Sequence, residues 1–171
     1  GLADAKGFKM RTAAKHDRMM TQLGMVPVSL QMPDTYTALQ RGVVDGFAWP
    51  TLGPRDWGWT ESCKYVIDTM FHPRMNFIIV MNLDTWKKLP IDVQAKITEI
   101  TVKYEPGMKA FFEHRITVEK GYLETAGVKR VKLSAEDAKK LVDAADQGGW
   151  ANMDKKVPDD VIKEYKKLMG Y

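Results

Sequence analysis

One cysteine, Cys63, is the only thiol in 171 residues. The chain therefore forms no internal disulfide and carries no CxxC metal or redox pair, and thiol usage alone does not assign a compartment. Long apolar runs are missing too: the longest, residues 77–81, falls far short of the ~20 residues that cross a bilayer. Histidine is scarce, with His16, His72 and His114 isolated from one another along the chain. There is no HExxH, GxSxG, GxGxxG or P-loop string. Cys63, at an expected helix–strand junction, reads as a small buried hydrophobe. Catalysis needs a nucleophile with a base, a metal cluster or a paired acid and base, so the expectation is that the protein is not an enzyme. An excess of one charge is also absent. The 26 Lys and Arg face 22 Asp and Glu, near balance on both sides of Asp92, which leaves no nucleic-acid footprint. The opening residues Gly1-Leu2-Ala3-Asp4-Ala5-Lys6-Gly7 show neither an initiator Met nor a basic and apolar leader, and read as the start of a fragment of a longer protein.

What is present is an alternating α/β pattern, and 44% hydrophobic residues are enough for one or two small cores. Phe8, Met10 and Thr12 alternate with Lys9 and Arg11, which predicts a strand with Arg11 near its carboxyl end. Residues 15–23 fit a helix stopped by Gly24, and residues 26–30 a second strand. Pro33-Asp34 signals the cap of a helix over 35–42, and residues 44–48 return as a short strand. Residues 49–54, rich in Pro and Gly, then form a loop at the carboxyl edge of the sheet, the edge where open α/β sheets bind ligands. Further on, the pattern predicts a short helix over 55–63, strands over 65–70 and 76–81, and a helix over 83–89 closed by Pro90. A long helix follows from Asp92, kinked at Pro106 and stopping near Gly127. A strand over 128–133, a helix capped by Ser134 through residue 145, and a last helix from Pro158-Asp159 to Leu168 complete the chain.

Four stretches in this order resemble a known family. They are Gly7-Phe8-Lys9-Met10-Arg11-Thr12; Leu23-Gly24 with Pro27; Tyr36-Thr37-Ala38-Leu39-Gln40-Arg41-Gly42-Val43-Val44-Asp45-Gly46, followed by Pro50; and Asn82 with Trp86-Lys87-Lys88-Leu89-Pro90. The string is similar to the solute-binding subunits of tripartite ATP-independent periplasmic (TRAP) transporters, the DctP and SiaP-like proteins, over residues 7–128. The resemblance implies a periplasmic binding protein-like α/β lobe with a long kinked inter-lobe helix, part of a two-lobed protein. Residues 1–76 would be the second, ligand-binding lobe. Residues 77–171 would supply a crossing strand, the long helix and C-terminal helices packing on both lobes. It further implies capture of a small organic carboxylate in the periplasm and delivery to the TRAP membrane permease subunits, with most of an N-terminal lobe lying outside this chain. The alternative is a protein-interaction or sensory-ligand domain on the same fold, using Trp57 and Trp59 as an exposed anchor.

The resemblance places Arg11 where the family grips the ligand carboxylate, and a planar guanidinium suits that task because it can donate two parallel charge-assisted hydrogen bonds. Trp49 stands where many members carry an asparagine. An indole offers one donor and a broad apolar face, so it argues for an acid with an apolar or aromatic body. Met32 aligns with a pocket aromatic, and Asn76 with a strand position facing the cleft. Some related keto-acid binders hold a metal through a Glu before such a Trp; Ala48 occupies that place and cannot ligate a hard cation, so no metal and no other cofactor is expected. Lys15 and His16 follow the Arg11 strand, where either ligand contact or a solvated helix start would explain them.

Overall fold

In the computed structural model of the chain, residues 1–72, 78–153 and 156–170 are described. β1 (Lys9–Thr12) lies at the centre of a parallel three-stranded sheet between β2 (Val26–Ser29) and β3 (Gly46–Phe47). Parallel neighbours need a crossover, and two helical segments provide them. A 3-10 turn at Ala14–His16 runs into α1 (Asp17–Gln22), and α2 spans Met32–Gln40. The register puts Arg11 beside Val28 on one side and Phe47 on the other.

Side chains alternate across a strand, so β1 feeds two different cores. Met10 packs against a core of Met19, Met20, Met25, Leu133, Leu141, Ala144 and Ala145. This core is closed by α5 (Ala135–Met153), which crosses α1 so tightly that a Cβ on Gly148 would lie 3.3 Å from the Met19 backbone nitrogen. On the opposite face Phe47 and Val28 pack with Ala38, Leu39, Val44 and the fully buried Trp59.

Farther along, β4 (Tyr65–Ile67) pairs in parallel with β5 (Lys129–Val131). Between them run α3 (Leu83–Lys88), whose cap Asn82 accepts from the amides of Asp84 and Thr85, and the 35-residue α4 (Ile91–Thr125), continuous through Pro106. The chain closes with α6 (Asp159–Met169). Along α4 the one buried side chain is Glu119, whereas Ile91, Ile100, Val102, Tyr104 and Phe111 are exposed. No described helix is long and apolar enough to cross a membrane.

Several expected boundaries move. The second helix starts at Met32, with Gln31 at its cap position and Pro33-Asp34 inside its first turn, where a missing N–H is harmless. Residues 55–63 give only a 3-10 turn at Trp59–Ser62, because Gly58 turns left-handed just before it. The strands expected over 44–48 and 65–70 shrink to β3 and β4. In the strand expected over 76–81, the first two residues lie outside the described ones; residues 78–81 form no strand and expose Ile78, Ile79 and Val80. The helix capped by Ser134 runs on to Met153, eight residues beyond its expected end. The Ser134 hydroxyl does accept from the Asp137 amide at 3.1 Å.

Candidate functional site

Arg11 points from the middle strand into the aromatic face, and it is only 4% exposed. Its Nη2 donates to the Leu30 carbonyl at 2.9 Å. Nε and Nη1 have no partner, and among the described residues no carboxylate pairs with the guanidinium. Its Cζ sits 4.9 Å from the Trp49 ring centre and 5.3 Å from that of Trp59. Burial lowers the Arg11 pKa, with no opposite charge to offset it. A buried cation lacking a counter-charge is costly, on the order of several kcal/mol after relaxation. Cation–ring contacts return only ~2 kcal/mol each at best. Donors thus remain on Arg11 for an external anion.

The aromatic wall comes from residues 47–59. Trp59 meets Phe47 edge-on at 5.1 Å and Trp49 at 5.3 Å. The loop between them folds back at Gly53, whose carbonyl accepts from the Trp57 amide at 3.1 Å while the Trp59 amide donates to the Pro54 carbonyl at 2.9 Å. Gly53 adopts φ +110°, and a Cβ there would lie 2.9 Å from Trp49 Nε1 and 3.4 Å from Trp57 Nε1. Any side chain would be strained and would push the Trp49 indole aside. The far end of the loop is tied to α4. The Arg55 guanidinium lies 4.2 Å over the Tyr122 ring, and Arg115 pairs with Asp56 at 3.5 Å. Glu119 is buried beside them with Oε1 unpartnered, and burial raises its pKa.

Of the residues singled out from sequence, Arg11, Trp49 and Met32 come together: Met32, the first residue of α2, is half-buried against the same aromatic cluster. Asn76 lies outside the described residues. Ala48 turns to the opposite, methionine-rich core. Cys63 packs at the edge of the aromatic cluster, and burial pushes its thiol pKa up, which makes it a poor nucleophile. Trp57 and Trp59 do not form an exposed pair, since Trp59 is 1% exposed.

The structure removes one of the two readings open for His16 and brings it against a second histidine. His16 is not a solvated helix start: it is 5% exposed, edge-on to Phe71 at 5.8 Å, with both ring nitrogens unpartnered. It is also not isolated, because His72 stacks on it at 5.5 Å. Burial first, then Lys15, lowers the His16 pKa to about 4. Sequence reasoning missed this pair because the segment joining them runs through both cores. It missed Gly53 and Phe47 as well, although the Gly and Pro around Trp49 marked the loop they build.

Residues 1–155 match the family described as bacterial extracellular solute-binding protein, family 7 (DctP). The chain belongs to that family. It is similar to the C4-dicarboxylate-binding periplasmic protein DctP of Vibrio cholerae, 27% identical and covering 94% of this chain and 48% of that protein. A monocarboxylate 2-oxoacid-binding periplasmic protein of a Nostoc strain is 29% identical over 106 residues, 60% of this chain and 29% of its own length. Among solved structures, a TRAP periplasmic solute-binding protein of Desulfovibrio salexigens with bound orotic acid superposes with a TM-score of 0.85 at 25% identity, over 97% of this chain and 55% of that one. A TRAP protein of Shewanella oneidensis with bound succinate gives 0.79 at 22% identity, over 95% and 53%. The fold is thus the mixed α/β fold of TRAP solute-binding proteins, and the chain spans about half the length of these structures.

Proposed function

We propose that this chain is the second lobe of a two-lobed periplasmic receptor that captures a small organic carboxylate and delivers it to TRAP membrane permease subunits, without catalysis and without a bound metal. The observation that carries the reading is Arg11, a buried guanidinium with unpartnered Nε and Nη1 and no counter-ion among the described residues, walled by two indoles. An incoming carboxylate supplies the missing charge and accepts two hydrogen bonds in one plane. The compounds named with the similar structures, orotic acid and succinate, are carboxylic acids. Trp49 and Met32 then line the body of the ligand, and the role of Asn76 stays an expectation from the resemblance.

The two-lobed reading is supported by what the chain leaves uncovered. α4, at 35 residues, is about 50 Å long at the usual rise per residue, and it buries almost nothing here. Ile91, Ile100, Val102, Tyr104 and Phe111 on it, and Ile78, Ile79 and Val80 before it, are an exposed apolar surface, and such surfaces mark interaction sites when they are contiguous. The other lobe, about as long as this chain by comparison with its relatives, would cover that surface and close on the ligand about a hinge.

The test is a thermal-shift screen of the full-length polypeptide against a panel of organic acids, because a ligand bound only by the folded state raises the melting temperature. A rise that disappears in Arg11→Ala supports a carboxylate receptor. No rise with any acid, or a rise unchanged by Arg11→Ala, rejects it.

A further inference from the structure

One face of α4 and one turn of the chain meet behind the aromatic wall. Arg115, Glu119 and Tyr122 are spaced i, i+4 and i+7, which places them on a single stripe of the helix. Opposite that stripe stand two consecutive turn residues: Asp56 pairs with Arg115 at 3.5 Å, and the Arg55 guanidinium lies 4.2 Å from the centre of the Tyr122 ring. Between these contacts Glu119 is 5% exposed, with Oε1 unpartnered among the described residues and the charges of Arg55, Asp56 and Arg115 close enough to act on it. It is the one buried residue of the 35 in α4. The helix is therefore most deeply seated on this chain at the turn that carries Arg55 and Asp56.

We propose that Arg115, Glu119 and Tyr122 are positioning residues for the ligand wall: by holding Arg55 and Asp56 they fix residues 53–59, and with them the place of Trp59 and Trp49 beside Arg11. This rests on the carboxylate reading of Arg11 and deepens it. The turn is a hydrogen-bonded bracket. The amides of Trp57 and Trp59 donate to the Gly53 and Pro54 carbonyls at 3.1 and 2.9 Å, and the Gly58 amide donates to the Arg55 carbonyl at 3.0 Å. A shift of Arg55 and Asp56 therefore carries Trp59 with it. The Trp59 ring centre lies 5.3 Å from that of Trp49 and 5.3 Å from Arg11 Cζ, so the shift reaches both the wall and the grip. Beyond Trp59, α2 holds the chain through Tyr36, whose hydroxyl donates to Glu61 at 3.1 Å. The side chains of Arg115 and Asp56 are 45% and 61% exposed, and exposed ion pairs add little to global stability. Their effect falls on where the wall stands rather than on whether the chain folds.

The experiment is fluorine NMR of the full-length polypeptide carrying fluorotryptophan, with each signal assigned by replacing that tryptophan with phenylalanine. Arg115→Ala should shift the Trp59 and Trp49 signals, with the melting temperature almost unchanged. Trp150, which packs edge-on against Tyr165, should keep its signal. Glu119→Gln, which removes the charge facing both arginines and keeps the volume, should shift the same two signals. Arg115→Lys, which keeps a cation opposite Asp56, should leave them in place. In calorimetric titration Arg115→Ala and Glu119→Gln should weaken phenylacetate by about twofold to fivefold, and succinate less. Trp59 and Trp49 signals that stay in place in both variants, or that move only together with Trp150 and a large fall in melting temperature, overturn the positioning role and leave the Arg11 grip standing. Shifted signals with both affinities unchanged overturn it as well. Phenylacetate and succinate binding that survives Arg11→Ala, or binding of neither acid, overturns the carboxylate reading and this inference together.

Discussion

Neighbouring residues of β1 enter opposite kinds of interior. Met10 meets methionines, leucines and alanines, flexible or small side chains that fill space without polar demands, while Arg11 meets two tryptophans. The first core is closed by helices from both ends of the chain, α1 and α5. The second is closed by one helix and a loop, and it holds a cation with two unpartnered nitrogens. A core that serves only folding tolerates no such group, because an unpaired buried charge destabilises the folded state. The two faces of one strand therefore differ in kind: the methionine face holds only groups that pack, and the aromatic face holds the costly group that the proposed carboxylate grip would use.

The sharpest way to break this division is to replace Arg11. Arg11→Met keeps volume and removes the charge. It should abolish acid binding, a loss of about 4 kcal/mol or a thousandfold, while the melting temperature of the ligand-free protein holds or rises. A fall in melting temperature of many degrees would show that Arg11 is structural. Met19→Ala tests the other face. Deleting a fully buried methionine should cost about 3 to 4 kcal/mol of stability in chemical denaturation, yet the molecules that stay folded should bind acids with unchanged affinity.

Acid should act through the methionine face as well. His16 titrates at about 4 in the folded chain against an ordinary 6.5, so the unfolded chain binds its proton first. The stability contributed by the neutral, buried ring is fully present above pH 6.5. It is lost progressively as pH falls towards and past 4, by about 3 kcal/mol in all. His16→Phe should flatten that part of the stability–pH curve; a curve unchanged by the substitution would mean that His16 is not the responsible group. The smallest effect belongs to the ligand wall. Trp49→Asn should weaken acids with apolar bodies by about tenfold, or 1.4 kcal/mol, and small dicarboxylates less. Equal losses for both would remove Trp49 as the apolar wall.

Much of the fold was legible because its elements announce themselves locally. The alternation around Arg11, the stop at Gly24, the cap at Ser134 and the turn residues of 49–54 each act within a few residues of the element they bound. Strand length was less legible. β3 and β4 keep only the residues that pair with β1 and β5, and a strand is defined by its partners rather than by its own propensity. The start of α2 was misplaced because Pro33-Asp34 satisfies a cap and a first turn equally well. Residues 78–81 are apolar and β-branched enough to read as a strand, but among the described residues no strand pairs with them.

The sequence by itself determined the class of protein, the order of its α/β units, and Arg11 with Trp49 at the carboxyl edge of the sheet. These are statements about residue type and spacing, which survive without coordinates. Only the tertiary structure decided that Arg11 is buried without a counter-ion among the described residues, that Trp59 is wall rather than surface, that His16 and His72 stack, and that Gly53 has no room for a side chain beside the Trp49 indole. Each of these depends on distances between residues far apart in the chain. Burial and contact are set by how elements pack, and packing leaves no local mark on the residues it joins.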